Sequence, residues 1–250
     1  MEARLLSLVV ITRNEADRLG DCLASVPFAS ESIVLDSGST DRTVEVALSH
    51  GAQVIETDWP GHVVQKNRAL GLASMPWVLS LDADERLCPT AAAALQSALQ
   101  APGECAAFKF SRLSSWLGHP IRHGRWYPDR KVRVVRRGKG RWHGPDPHDH
   151  LVVDGTTRTL DGDILHDPYR SLDEHLQTIA RYSKVSADGL RSRGREATWL
   201  DVAARPPLHF VDSYLLRRGF MDGLPGLAVA GLGATHVLCK WSRLRFGDGP

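Results

Sequence analysis

The segment 77–87, WVLSLDADERL, passes from apolar Trp77, Val78, Leu79 and Leu81 into Asp82, Asp84 and Glu85. Three carboxylates within four positions repel one another unless a positive group sits among them. Two other apolar runs end in a similar way. Residues 5–11 lead into Thr12-Arg13-Asn14-Glu15, and residues 33–35 lead into DSGSTD at 36–41. One polar ending reads as a helix cap; three on neighbouring strands argue for a site. His143, His148, His150 and His166 offer further ligands. No cysteine joins them, and their spacing fits no zinc template.

Strands and helices must bring these residues together. Apolar, β-branched runs at 5–11, 33–35, 52–55 and 77–81 predict strands. Helical patterns at 16–25, 42–49, 63–73 and 90–100 lie between them. Asn14 or Thr12 is expected to cap the first helix and Thr40 or Asp41 the second, with Pro89-Thr90 opening the last. Such alternation predicts a mostly parallel sheet with helices on both faces. Ligands on such sheets bind beyond the carboxyl ends of the strands, where the acids fall.

After about residue 105 the pattern changes. CAAFKFSRL and RKVRVVRR read as strands, HLVVDG and GDILHD as shorter ones. From Ser171 the chain turns helical, and 198–245 predicts two helices broken near Gly223-Leu224-Pro225. The expected division is 1–104, 105–170 and 171–250, the last a helical C-terminal extension. The net charge is only +2, yet 109–141 holds eleven Lys or Arg and one acid, Asp129. That run reads either as a solvated surface or as a face for an anionic partner. No nucleic-acid motif accompanies it, so no nucleic-acid partner is expected. The four cysteines show no CxxC spacing, which suits reduced thiols in a cytoplasmic protein. LLSLVVI at the N-terminus reads as a strand rather than a signal peptide. The uncharged run 223–239 is Gly-rich and shorter than the roughly 20 apolar residues a spanning helix needs. Arg217, Arg218, Lys240, Arg243 and Arg245 bracket that stretch. It suits either a helix in an anionic membrane interface or a helical cap.

VVITRNEADRLGDCLASV, VLDSGSTDRT, QKNRALGLA and LSLDADE, in that order and spacing, resemble the nucleotide-binding half of inverting family 2 glycosyltransferases with the α/β GT-A fold. WYPDRKVRVVRRGKGRWHG, HDHLVV, ILHDPYRSLDEHL and RRGFMDGLPGL are similar to a bacterial subgroup that includes lipopolysaccharide inner-core β-1,4-glucosyltransferases. The resemblance implies transfer of a hexose from a nucleoside-diphosphate sugar, a UDP-sugar by preference, to a glycan or glycolipid acceptor in lipopolysaccharide core or other cell-envelope synthesis. It also implies a divalent cofactor, Mn²⁺ or Mg²⁺, since hard cations prefer oxygen ligands and relieve charge on a diphosphate leaving group.

The resemblance assigns roles residue by residue. Asp84 is the expected direct metal ligand, with Asp82 touching ribose or metal-bound water, and His166 a third ligand opposed by a purely structural role. Thr12, Asn14, Glu15 and Asp36 would meet the nucleoside. The family usually has two adjacent acids after the second strand; Ser37 stands at the second position, leaving open which group meets the base. Lys66 or Arg68 would neutralise phosphate, Asn67 matches the family's N-R pair, and Lys66 also fits a solvated helix face. Glu85 would support the metal or the donor sugar, or lie on the surface. Asp149 occupies the place where the subgroup usually carries Glu and is the candidate base, one methylene shorter; Asp129 is the second choice. Sugar-phosphate nucleotidyltransferases and non-catalytic nucleotide-sugar-binding modules are the alternative classes. The former would need a Gly-rich basic loop after the first strand, and TRNEADRLG is not one.

Overall fold

The structure is a computed structural model and describes residues 5–144 and 149–247. It divides into two compact units, residues 1–112 with 129–166, and residues 113–128 with 167–250.

The first unit is built on β1 (Leu6–Thr12), buried at every position. A strand covered on both faces has no need of alternation, which is why LSLVVIT reads as a continuous apolar run. β1 pairs in parallel with β2 (Glu31–Asp36) and β4 (Trp77–Asp82), and β2 pairs in parallel with β3 (Gln53–Glu56). The register sets Thr12 opposite Asp36 and Ile11 opposite Asp82, so the polar endings do share one edge. Leu8, Val10, Leu79 and Leu81 join α1 (Leu19–Ala24) and α4 (Pro89–Gln100) in one core cluster. Val9, Ile11 and Val78 join α3 (His62–Leu72) in a second. α2 (Thr43–Ser49) completes the expected α/β alternation.

Beyond β4 the sheet continues through β8 (Asp129–Arg136), β6 (Ala107–Trp116), β11 (Thr157–His166) and β5 (Glu85–Leu87). β8 is antiparallel to β4 and to β6, and β5 is antiparallel to β11, with His166 opposite Glu85. A separate hairpin of β9 (Gly140–His143) and β10 (His150–Val153) places Trp142 and Leu151 in the second cluster.

The expected first cap is not formed. Asn14 adopts φ 56°, its Oδ1 accepts from the Thr40 backbone N–H at 2.8 Å, and α1 starts only at Leu19 without a side-chain cap. Asp41 likewise ties two loops rather than capping α2 formally. Its carboxylate accepts from the backbone N–H of Thr43 at 3.0 Å and of Ala16 at 3.3 Å. Short polar side chains compete for loop backbone as readily as for helix ends. Pro89 opens α4 as expected, with the Cys88 thiol as cap.

In the second unit the end of β6 pairs with β7 (His119–Pro120). Ser171 caps α5 (Leu172–Arg191), and Thr198 forms a capping box with Asp201 at α6 (Trp199–Val211). Pro206 and Pro207 lie inside α6 and remove backbone donors. A π-helical turn follows directly at Asp212–Leu216. The helix break therefore falls before Gly223, not at it, and Gly223 opens α7 (Gly223–Phe246). Pro225 sits in the first turn, where a missing N–H is harmless. Among the described residues no helix is long and apolar enough to cross a membrane.

Candidate functional site

Four elements of the first unit converge on the acids after β4. Lys66 projects from the buried face of α3, where Gln65 and Ala69 are also enclosed. Its Nζ lies 2.9 Å from Asp82 Oδ1 and 2.8 Å from Asp149 Oδ2. Arg133 of β8 sits 3.1 Å from Asp82 and 2.7 Å from Glu85 through Nη2, and its Nε donates to Glu85 at 2.8 Å. Arg112 of β6 reaches Glu85 at 3.1 Å and Asp129 at 2.7 Å, and Lys131 meets Asp129 at 3.2 Å. The positive groups among the acids are side chains of the protein itself.

Two of them lie over Trp142, with Lys66 Nζ 4.5 Å and the Arg133 guanidinium 5.3 Å from its ring. A cation over an indole face is attracted by the ring quadrupole, most strongly when desolvated. Asn67 fixes this ring in place. Its amide donates to the Trp142 carbonyl and accepts from the Trp142 N–H, both at 2.9 Å.

The electrostatics follow from burial against pairing. Burial pushes the Glu85 carboxyl up, but Arg133 and then Arg112 outweigh it and hold it well below the usual carboxylate range. Burial likewise opposes ionisation of Asp82, and Lys66 and Arg133 reverse it to a lowered value. Lys66 loses by burial and gains more from Asp82 and Asp149, so its ammonium persists above its ordinary range. The Cys22 thiol beneath them is pushed up by burial and by Glu85, Asp84 and Asp82, which makes it a poor nucleophile.

Asp84 stands apart from this network, in the turn between β4 and β5. His166, at the end of β11, places Nε2 3.4 Å from its Oδ2. One carboxylate and one imidazole side by side suit a divalent ion that keeps most of its positions for phosphate and water. Each oxygen of Asp82 faces Lys66 or Arg133. Among the described residues no group of three or more His, Cys, Asp or Glu forms a metal cluster. His143 and His150 face each other across β9 and β10; His148 lies outside the described residues.

The nucleoside-side candidates also gather, on the loops after β1 and β2. Asp36 is buried and accepts from Gly38 N–H at 3.0 Å and Ser39 N–H at 2.8 Å. Ser37 accepts from Gln65 at 3.0 Å, Asn14 N–H donates to Ser39 Oγ at 2.9 Å, and Glu15 pairs with Arg18 at 2.6 Å. Thr12 Oγ1 is buried without a hydrogen-bond partner, a feature that normally demands an explanation. Arg68 turns to Asp58 at 2.6 Å.

Two expectations need correcting. Glu85 has no exposed surface, so the surface role is excluded. Lys66 is enclosed as well, which excludes the solvated helix face. Arg112, Arg133 and Trp142 were not singled out by the sequence. Arg133 left a faint signal, as a lone basic residue among Val132, Val134 and Val135. The register steps from Phe108↔Val134 to Lys109↔Val132, so Arg133 has no opposite residue on β6. Such an irregularity re-aims a side chain.

The model of the family described as "Glycosyl transferase family 2" matches residues 7–152. The lipopolysaccharide core biosynthesis glycosyltransferase LpsC of Rhizobium meliloti is 30% identical, over 96% of this chain and 91% of that protein. An uncharacterized glycosyltransferase of Rickettsia prowazekii is 26% identical over 96% of this chain and 86% of its own length. Among solved structures, glucosyl-3-phosphoglycerate synthase from Mycobacterium tuberculosis, in complex with Mn²⁺, UDP and glucosyl-3-phosphoglycerate, is 27% identical. It covers 43% of this chain and 44% of that one at a TM-score of 0.38, too low to carry an argument about fold or site.

Proposed function

From a chain that belongs to glycosyltransferase family 2, we infer that this enzyme moves a hexose from a nucleoside-diphosphate sugar, UDP-linked, to a hydroxyl of a glycan or glycolipid, with inversion at the anomeric carbon. Family membership sets aside the nucleotidyltransferase and the non-catalytic module. The likeness to LpsC supports an acceptor in lipopolysaccharide core or another envelope glycan, met at the cytoplasmic face of the inner membrane.

The observation that carries the reading is Lys66, whose ammonium bridges Asp149 and Asp82. It ties the candidate base to the acidic segment in one rigid arrangement. Inversion needs a base that takes the acceptor's proton as the new bond forms opposite the leaving group. Asp149 serves as that base, and Lys66 holds its carboxylate in position. Asp84 and His166 would hold the divalent ion, which when bound supplies Lewis-acid relief of charge on the departing diphosphate. Arg133 and Arg112 hold Glu85 and Asp82 so that the acids stay compact beside it. Thr12, Asn14, Glu15, Asp36 and Ser37 frame the nucleoside on the edge made by β1 and β2. Asp129, the more open of the two carboxylates at 31% against 10% exposure, is the second reading for the base.

UDP release from UDP-hexoses, with and without a lipid-linked sugar acceptor, tests this reading. Asp149→Asn is expected to keep donor affinity and lose about 10²–10⁴ of the transfer rate. Asp84→Ala is expected to abolish the response to added Mn²⁺. Normal transfer by Asp149→Asn together with its loss in Asp129→Asn would move the base to Asp129. Normal transfer by Asp84→Ala would sink the metal site.

A further inference from the structure

A group of exposed apolar side chains in the second unit lies at the corner where α6 gives way to α7. Leu208, Leu215, Leu216, Phe220, Met221 and Leu224 are all exposed there, Leu216 at 73% and Leu224 at 79%. Leu208 lies in α6, Leu215 and Leu216 in the π-helical turn that follows it, Phe220 and Met221 in the short turn at 219–222, and Leu224 in the first turn of α7. Several large apolar side chains left exposed on neighbouring turns of a globular surface mark a candidate interaction site.

The exposed charge beside it is positive. Arg217 and Arg218 are exposed beside it, and the acids of the same stretch are Asp212 and Asp222. Both acids are already paired. Asp212 meets Arg125 at 2.6 Å and Arg217 at 3.0 Å, and Asp222 meets His123 at 2.8 Å. The corner therefore presents leucines, a phenylalanine and a methionine beside the arginines at 217 and 218, with its carboxylates turned to internal partners.

We propose that this corner is the surface by which the enzyme lies on an anionic lipid bilayer. Apolar side chains would enter the headgroup boundary while the arginines meet lipid phosphates, as in amphipathic interfacial segments. The segment lies on the membrane rather than spanning it, since no described helix is long and apolar enough to cross. A second copy of this chain is the poorer occupant. Pairing of two copies through this patch would bring both copies' arginines into one interface, where like charges are unfavourable. The inference deepens the glycolipid side of the proposed function but stands on its own observations.

The test is co-sedimentation of the whole protein with phosphatidylcholine vesicles, with and without phosphatidylglycerol, alongside transfer to a water-soluble acceptor. Binding is expected only with phosphatidylglycerol and is expected to weaken in high salt. Leu216→Glu/Leu224→Glu should reduce vesicle binding by at least about tenfold. Arg218→Ala should reduce it by about fivefold. Both should melt as wild type does and keep transfer to the soluble acceptor. Leu48→Glu, at an exposed leucine of α2 remote in sequence, should bind as wild type does. Equal binding to neutral and anionic vesicles, full binding by the double variant, or a dimer that the double variant abolishes would each overturn the proposal. Vesicle binding without sugar transfer would instead count against the enzymatic reading and leave the surface standing.

Discussion

Replacing Glu85 by alanine asks whether this carboxylate is an internal counter-charge or a ligand for substrate. It is fully enclosed, met by Arg133 through two nitrogens and by Arg112 through a third. Removing one member of a buried ion pair costs about 3–5 kcal/mol, because the charge left behind keeps its desolvation penalty. Here Arg133 would retain Asp82 at 3.1 Å and Arg112 would retain Asp129 at 2.7 Å. The loss should therefore fall at the lower end, about 3 kcal/mol. For a unit of about 150 residues that lowers Tm by about 6–12 °C. The pH dependence supplies an internal check. Burial raises the Glu85 pKa, but Arg133 and Arg112 hold it well below 4.5. A depressed folded-state pKa gives stability that is complete above the unfolded value and fades as pH falls below it. The gap in Tm between wild type and Glu85→Ala should thus be widest near neutral pH and shrink below about pH 4.5. Circular-dichroism melts from pH 7 downward measure both quantities. The companion Glu85→Leu/Arg133→Met should recover part of what Arg133→Met loses alone, since exchanging both partners for apolar groups removes the stranded charge. A Glu85→Ala protein that melts within about 2 °C of wild type yet fails to transfer sugar would refute the argument and make Glu85 a substrate ligand.

Two further perturbations test the framework. In the second unit, His175 accepts from Trp116 Nε1 at 3.1 Å and stacks on Tyr169 at 4.0 Å; burial, with a contribution from His236, lowers its pKa to about 4. Its folded pKa lies below the unfolded value, so stability should fall as pH drops from about 6.5 to about 4, by at most ~1.4 kcal/mol per pH unit. His175→Phe should flatten that stretch of a urea-midpoint profile, and an unchanged slope would contradict the assignment. At Gly162, with φ +87°, an added Cβ would lie 2.3 Å from the backbone nitrogen of Ala91 at the start of α4. Gly162→Ala should therefore destabilise by about 4 kcal/mol or more, read as loss of folded protein or of urea midpoint.

The strand endings were legible because their cause is local. A parallel strand buried on both faces reads as an apolar run, and the next polar residues mark its carboxyl end. Thr12, Asp36 and Asp82 could be placed on one edge that way before any coordinates. The counter-charges were not legible, because they are distant in sequence: Arg133 lies 48 residues from Glu85, and Lys66 lies 83 from Asp149. In the sequence Arg112 and Arg133 belong to a basic run that reads as a surface; only the pairing of β6 and β8, with its register step, turns them inward. Asn14 and Asp41 failed as helix caps for a related reason. Loop-to-loop bonds between segments 25 residues or more apart in sequence compete with the local cap.

An acidic cluster seen without its cations points to a metal as the only available counter-charge. The structure divides that charge into two parts. Asp82, Glu85 and Asp149 are compensated from within by Lys66, Arg133 and Arg112, while Asp84 beside His166 lies outside that network. On the proposed reaction this division has a physical use. A diphosphate approaching uncompensated carboxylates would be repelled; approaching a neutralised network it meets only the carboxylate that the ion itself would bind. Dipoles and charges already fixed before substrate arrives need no reorganisation during the reaction, which is where such sites gain most of their effect. The buried arginines thereby connect the stability of the sheet to the chemistry at its edge.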